Sequence, residues 1–530
     1  MFWRGWGDPA QATPLPAPVV ELLQQLLGVS PVASRPVELA EVALPEAALP
    51  GQLRAELIAA LGAEQLLDDA ETRIRHTRGK STVDLLRIRA GDAADAPDAV
   101  VLPGSHAEVG RVLEICAAHR VAAVPFGGGT SVVGGLAPER ATSRAVIAID
   151  LRRMDRLVAV DAESRLATFE PGVRAPRAET LLREHGFTLG HYPQSYEWAS
   201  IGGFAATRSS GQASAGYGRF DDLVVQIRAA TPAGTLELGR APRSAAGPDL
   251  RQLVLGSEGA FGVITSVTVQ VRPAPETTAY EAWRFDTLAA GLAGVRKLAQ
   301  DGPLPTVVRL SDEAETAVGL AQPARLTRPG GPPAGASGCL LVIGYEGTEA
   351  VVAARRDEAA GVLETGGAEF LGTEPGESWA RGRFAAPYLR DALLDAGALA
   401  ETLETATFWS RLPRLYDAVR DALTTALTAP GVRPLVLCHV SHVYPAGASL
   451  YFTVVCAQDA DPVAQWNRAK DATNEAITAA GGTISHHHGV GTDHRDRLTA
   501  EVGPLGVAVL RAVKDRLDPA GILNPRVLIP

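Results

Sequence analysis

The sequence predicts an α+β fold with two main parts, and three observations carry that prediction. Between residues 99 and 272 short strands and single helices follow one another without the regular alternation of a doubly wound sheet. Two strand–helix–strand sets come next, around residues 281–309 and 340–371. Two further strands, joined by Pro445-Ala446-Gly447-Ala448, read as a hairpin.

Residues 1–92 read as an N-terminal helical region, opening with Trp3 and Trp6 in a Gly-rich start. Helical periodicity runs near 17–28 and 51–69, the second stretch placing Leu53, Leu57, Leu61 and Leu66 on one face. Residues 93–97 read as a polar hinge opening a second unit, 93–273. There 99–103 is a strand, and 108–119 an amphipathic helix with Val109, Val112, Leu113 and Cys116 on one face. A strand at 121–124 runs straight into a glycine loop. Short strands are expected at 146–151, 157–160 and 166–169, and a helix at 175–185 that Gly186 stops. Pro273 and Pro275 mark the start of a third unit, 274–460. It holds the two strand–helix–strand sets, a Pro/Gly-rich loop at 328–337, a helical stretch at 379–427, and strands at 434–444 and 449–456, the last opened by Tyr451. Residues 461–530 supply a helix, a Gly481-Gly482 turn, three consecutive histidines and a last helix at 500–517.

Composition narrows the function. The chain has 530 residues, 46% hydrophobic and 21% charged, which is ordinary for a globular protein with a sizeable core. A net charge of −10 excludes nucleic acid as the main partner, because that binding needs a basic footprint. Lysine occurs only at Lys80, Lys297, Lys470 and Lys514, a bias read as codon usage rather than function. Cys116, Cys339, Cys438 and Cys456 form no CxxC pair and lie in or beside apolar runs, as buried small hydrophobes of a reducing compartment do. A disulfide framework or a zinc site is not expected. Residues 1–16 lack the pattern of a signal peptide, and no run of 18 apolar residues occurs, so a cytoplasmic location is expected.

The loop Pro125-Phe126-Gly127-Gly128-Gly129-Thr130-Ser131 follows a strand. Consecutive glycines let successive amides turn into one concavity, a nest for a pyrophosphate, and Thr130 and Ser131 add hydroxyl donors. Alone, a triple glycine reads as readily as a plain turn. Further Gly- and Ser-rich stretches follow in the same unit: 191–203, 207–211, 216–218 and 256–264. Many backbone donors brought together suit a large, flat, phosphate-bearing cofactor.

At these residues the chain resembles the vanillyl-alcohol oxidase / p-cresol methylhydroxylase flavoproteins. The ordered set PFGGGTS, SIGGF and GSEGAFGVI carries the resemblance. Within that superfamily it is most similar to the alkyldihydroxyacetonephosphate synthases, through GHYPQSYEWASIGGF, RFDDLVVQIRAATPAG, GPDLRQLVLGSEGAFGVIT and SHHHGVG. The likeness runs from Gly5-Trp6-Gly7 and Arg78-Gly79-Lys80-Ser81 to about Asn524, and is weakest over 310–380. It implies a two-part FAD-binding domain of the p-cresol methylhydroxylase type and an antiparallel-sheet cap domain with flanking helices.

The resemblance places the FAD pyrophosphate on Pro125, Phe126, Gly127, Gly128, Gly129, Thr130 and Ser131. It places ring and ribose contacts on Gln194, Ser195, Trp198 and Ser200, on Gly203, Thr207 and Ser210, and on Glu258, Gly262, Val263 and Ile264. Some relatives link the flavin to a histidine near this loop. Residues 126–129 contain none, so non-covalent FAD is expected.

His486-His487-His488 follow the glycine turn, and three adjacent side chains cannot all face one way. Chemistry alone ranks a solvated turn first, a proton-transfer site second and a metal site last, since adjacent histidines make a poor cage. The resemblance reverses the first two and makes His486, His487 and His488 catalytic candidates together with Tyr451. D-lactate and D-2-hydroxyglutarate dehydrogenases usually carry Glu-His-Gly here, whereas this chain has His-His-Gly. Arg309 stands in an otherwise apolar strand, where arginine is rare unless paired or holding an anion. By resemblance Arg309, Arg390 and His191 belong to the substrate pocket, with His439 and His442 as weaker candidates.

The resemblance implies exchange of the acyl group of acyl-dihydroxyacetone phosphate for a fatty alcohol, giving an ether-lipid precursor without net oxidation. It also implies a homodimer, and a lipid substrate implies peripheral contact with a membrane. The rivals are an FAD-linked oxidase or dehydrogenase of a hydroxy acid such as D-lactate or glycolate, and a flavin-holding protein without catalysis.

Overall fold

The computed structural model describes residues 1–30, 36–137, 143–318 and 337–530, and in it the glycine loop leaves the edge of a small sheet. Val146–Asp150 runs parallel to Ala99–Val101 on one side and to Ala122–Phe126 on the other, and Leu66–Leu67 pairs antiparallel beyond Ala99–Val101. The helix His106–His119 starts at Ser105, whose hydroxyl accepts from the Glu108 amide, and buries Val109, Val112, Leu113 and Cys116. A second, antiparallel sheet orders Leu157–Asp161, Leu166–Phe169, Val263–Gln270, Val224–Thr231 and Gly234–Leu238.

The remaining large sheet is antiparallel throughout, in the order Glu369–Gly372, Thr277–Phe285, Cys339–Gly347, Val307–Ser311, Leu435–Val443, Gly447–Ala457 and Ala398–Phe408. Side chains alternate across it. Val308, Leu310, Cys438, Val440, Leu450, Phe452 and Leu403 point to one face. They pack there with the helices Leu288–Asp301, Glu349–Thr365, Leu412–Leu427 and Pro462–Ala480. The opposite face is left for the site.

Several expectations are corrected. The helix expected over 51–69 is Gly51–Leu61; Gly62, at φ 94°, ends it, and Leu66 is buried from a strand instead. Residues 93–97 are no exposed hinge, because Ala93 and Ala96 are buried and Arg78 grips Asp92 and Asp95 beside them. The stretch 379–427 is broken by the strand Ala398–Phe408, which pairs residue for residue with Gly447–Ala457. Its Ala, Leu and Glu favour a helix, but a strand there buries Leu399 and Leu403 under the helices, and tertiary context overrides propensity. Tyr451 lies mid-strand rather than at a strand start. The loop at 328–337 falls almost wholly outside the described residues. All four cysteines are buried and free, and no helix among the described residues is long and apolar enough to cross a membrane.

Candidate active site

A cavity of about 380 Å³ lies between the glycine loop and the open face of the large sheet. The loop Pro125–Ser131, with Gln194, Ser195, Ser200, Gly203, Thr207, Ser210, Glu258, Gly262 and Ile264, lines one part. Arg309, Arg390, Tyr451, His487 and His488 line the other, together with His439 and His442.

The glycine loop is held open by its packing. A Cβ on Gly127 would stand 2.5 Å from Ser200 Oγ, and one on Gly128 2.5 Å from the Trp198 carbonyl. Gly129 is left-handed, at φ 72°. The six amides from Gly127 to Val132 donate to no described residue. Six such amides in succession fit an anion of pyrophosphate size. Ser210 Oγ, Gln212 Oε1 and Trp6 Nε1, also on the cavity wall, are buried without a partner among the described residues. These free polar atoms fit a large phosphate-bearing cofactor. The stretch Arg78–Ser81 props the loop from behind: the Lys80 amide donates to the Ser131 carbonyl at 2.7 Å.

On the sheet side, neighbouring strands set the chemistry in a row. Glu404 is directly opposite Tyr451, and Tyr451 directly opposite His439, so all three share one face. The Tyr451 and His439 rings stack 4.9 Å apart. His439 lies 3.2 Å through Nδ1 from Glu315 and 2.9 Å through Nε2 from Arg309, which also pairs with Glu315 at 2.9 Å. A β-bulge follows, in which Ser441 and His442 together face Ser449. It turns His442 toward the cavity, where strict alternation would bury it in the helix-side core.

The three histidines differ in their partners. Tyr444 Oη lies 2.7 Å from His486 Nε2, and His486 Nδ1 lies 3.0 Å from His487 Nδ1. Burial pushes the Tyr444 hydroxyl up to about 12, so it stays protonated, and burial lowers His486 below the ordinary imidazole range, so that ring is neutral. Burial also lowers His487, and lowers His488 to about 3. Burial raises Tyr451 to about 12, eased by Thr402. Neutral imidazoles and a protonated phenol meet in one water-poor space, a set able to accept and donate protons. Nitrogens of His442, His486 and His487 lie within 4.8 Å of one another. The His442 and His486 rings stack nearly parallel at 5.2 Å.

Four of the expected residues stand back from the cavity. His191 is wedged between Phe204 and Phe220 and bonded to Ser209 at 3.1 Å, a core histidine rather than a pocket residue. His486 lies behind His487. Trp198 contributes a carbonyl behind Gly128, and Val263 is buried in its strand. Glu258 lines the cavity but its carboxylate is taken up by the amides of Val490 and Gly491 at 2.8–3.1 Å.

Sequence reasoning missed others. Trp6 lines the cavity from the chain start. Arg383 lines it without a carboxylate partner among the described residues, donating to Tyr280 Oη at 3.1 Å. Arg390 is met by Asp391 and by the Lys80 carbonyl. No local pattern marks Arg383 in an arginine-rich chain.

Comparison with known proteins accords with this geometry. Residues 97–239 match the FAD binding domain family, and residues 274–528 match the C-terminal domain of FAD linked oxidases. FAD is thus the cofactor of this chain. The alkyldihydroxyacetonephosphate synthase of Dictyostelium discoideum is 35% identical, over 88% of this chain and 79% of that protein. That of Trypanosoma brucei brucei is 33% identical, over 100% and 92%. A solved structure of an alkyldihydroxyacetonephosphate synthase superposes with a TM-score of 0.83 at 30% identity, covering 99% of this chain and 98% of the other. A mitochondrial D-lactate dehydrogenase of Arabidopsis thaliana is more distant, at 28% identity over 83% of this chain and 74% of its own. Substrate-bound p-cresol methylhydroxylase, at 18% identity and a TM-score of 0.69 over 92% of this chain and 99% of its own, shares the fold alone.

Proposed function

The chain belongs to the alkyldihydroxyacetonephosphate synthase family of FAD-linked oxidases, and from that premise we propose that it exchanges the acyl group of acyl-dihydroxyacetone phosphate for a fatty alcohol. The observation that carries this is one cavity with the free amides of the glycine loop at one side and Tyr451, His487 and His488 at the other. The hydroxy-acid reading loses ground because the relatives that support it are the more distant ones.

We assign the loop Pro125–Ser131 to the pyrophosphate of a non-covalent FAD. Bound there, FAD supplies an electron-poor ring to which substrate carbon can be activated. The chain supplies the rest. The substrate phosphate needs a guanidinium, and Arg383, with no carboxylate against it among the described residues, is better placed to hold that phosphate than Arg309 or Arg390. The proton leaving substrate C1 goes to a neutral imidazole nitrogen of His487 or His488, and Tyr451 donates from its protonated hydroxyl. Apolar wall residues Trp379, Leu389, Leu393, Ala400 and Val455 exclude water and accept alkyl chain. In this reading residues 93–273 hold the cofactor, 274–460 cap it, 461–530 complete the site, and 1–92 brace it. A homodimer that touches a membrane to collect its lipids completes the proposal.

Incubation with acyl-dihydroxyacetone phosphate and radiolabelled hexadecanol tests it. Label in an alkyl ether product, with release of fatty acid, is expected. Flavin bleaching by a D-hydroxy acid under anaerobic conditions, with no ether formed, would sink the proposal.

A further inference from the structure

One buried carboxylate ties the histidine loop to the sheet. Glu404 is 3% exposed. It accepts from Ser485 Oγ at 2.8 Å and from the amides of His486, His487 and His488 at 2.7, 3.1 and 2.9 Å. His487 Nδ1 lies 3.5 Å from the same carboxylate and His488 Nδ1 3.9 Å. Three consecutive amides converging on one carboxylate is more than loop closure requires. A capping side chain usually satisfies one or two. Here the anion fixes all three histidines to the strand whose neighbour carries Tyr451, opposite Glu404.

We infer that Glu404 is the positioning residue of the proton-transfer apparatus: it sets the histidine loop against Tyr451 and provides the counter-charge when His487 or His488 takes a proton. The inference rests on the proposed reaction. The physical reason is that an imidazolium formed in a buried site is costly unless an anion already faces it. Burial alone would raise the Glu404 carboxyl, but the Ser485 hydroxyl and the amides of His486, His487 and His488 all donate to it, and that many donors favour the ionised form. It is therefore an anion throughout. The other titratable groups influenced by it are Tyr451 on the next strand, His442 on the bulge and His494 after the loop. Glu404 is remote from substrate in this scheme and acts through the histidines, as the buried carboxylate of a hydrolase triad acts through its imidazole.

The test uses the FAD-loaded full chain and Glu404→Gln, which keeps an acceptor oxygen and removes the charge. Flavin content is expected to stay close to wild type, and the melting temperature to fall by a few degrees, because the new amide nitrogen faces a donor that an oxygen had satisfied. In the exchange assay kcat is expected to fall at least about tenfold with KM within about twofold. In substrate-free protein with 13Cε1-labelled histidine, the His487 and His488 titrations are expected to move to lower pH. Unchanged kcat together with unmoved titrations would overturn the inference, as would a loss confined to KM. If Glu404→Gln does not fold, Ser485→Ala decides, since it loosens the clamp and leaves the charge. A several-fold fall in kcat at constant KM supports positioning, and an unchanged kcat overturns it. The titrations need no substrate, so a wild-type chain without exchange activity refutes the reaction while the titrations still report on Glu404.

Discussion

Gly79 lies directly against the carbonyl oxygen of Ser131: a Cβ at position 79 would stand 2.1 Å from it. The residue before the Lys80 amide therefore has no room for a side chain, and the glycine loop keeps its shape because of it. Gly79→Ala must push the Ser131 carbonyl, and with it the free amides, by about 1 Å, at a cost of about 1–3 kcal/mol. The expected result is at least a tenfold weaker hold on FAD, read from flavin retained after gel filtration and from fluorescence titration of the apoprotein.

Tyr451→Phe removes one oxygen and keeps the ring stacked on His439. Flavin content and melting temperature should stay close to wild type. The exchange rate should fall by about 10²–10⁴, the span of a general acid–base group. Retained full activity would remove Tyr451 from the mechanism.

Arg383→Gln leaves Arg309 and Arg390 with the partners they already have. If Arg383 receives the phosphate, loss of a charge-assisted contact of about 1.5–3 kcal/mol raises KM for acyl-dihydroxyacetone phosphate about 10–100-fold. KM for the fatty alcohol, which carries no phosphate, should not move. Initial-rate kinetics with each substrate varied in turn measures both.

His191 predicts an acid weakness. Burial lowers it from 6.5 to about 3, so the unfolded chain binds its proton first as pH falls. Stability is therefore complete above pH 6.5 and is lost as pH drops toward 3. Between pH 7.5 and pH 5 the loss from this one group is about 2 kcal/mol. His191→Phe, which suits the contacts with Phe204 and Phe220, should flatten that part of the stability–pH curve in urea titrations. An equally steep curve in the variant would count against it.

Part of the site was legible because its signals are local. Three glycines after a strand specify a loop that only backbone can line. Alternation through Cys438-His439-Val440-Ser441 specifies which side chains share a face, and three consecutive histidines after a glycine turn announce themselves. Glu404 was invisible for the opposite reason. It sits in Ala398–Phe408, a stretch whose residues favour a helix, and it becomes a strand only through eleven pairings with Gly447–Ala457. His442 points to the cavity because of a bulge, and a bulge leaves no mark in composition.

By itself the sequence determined the glycine loop, the succession of most elements and the residue types able to move a proton, since each depends on neighbours along the chain. Only the tertiary structure decided which of those residues meet. It withdrew His191 into an aromatic core, set His486 behind His487, occupied Glu258 with backbone amides and left Arg383 without a counter-charge among the described residues. Those outcomes depend on desolvation and on contacts between segments far apart in the chain, and neither is written in any one stretch of it.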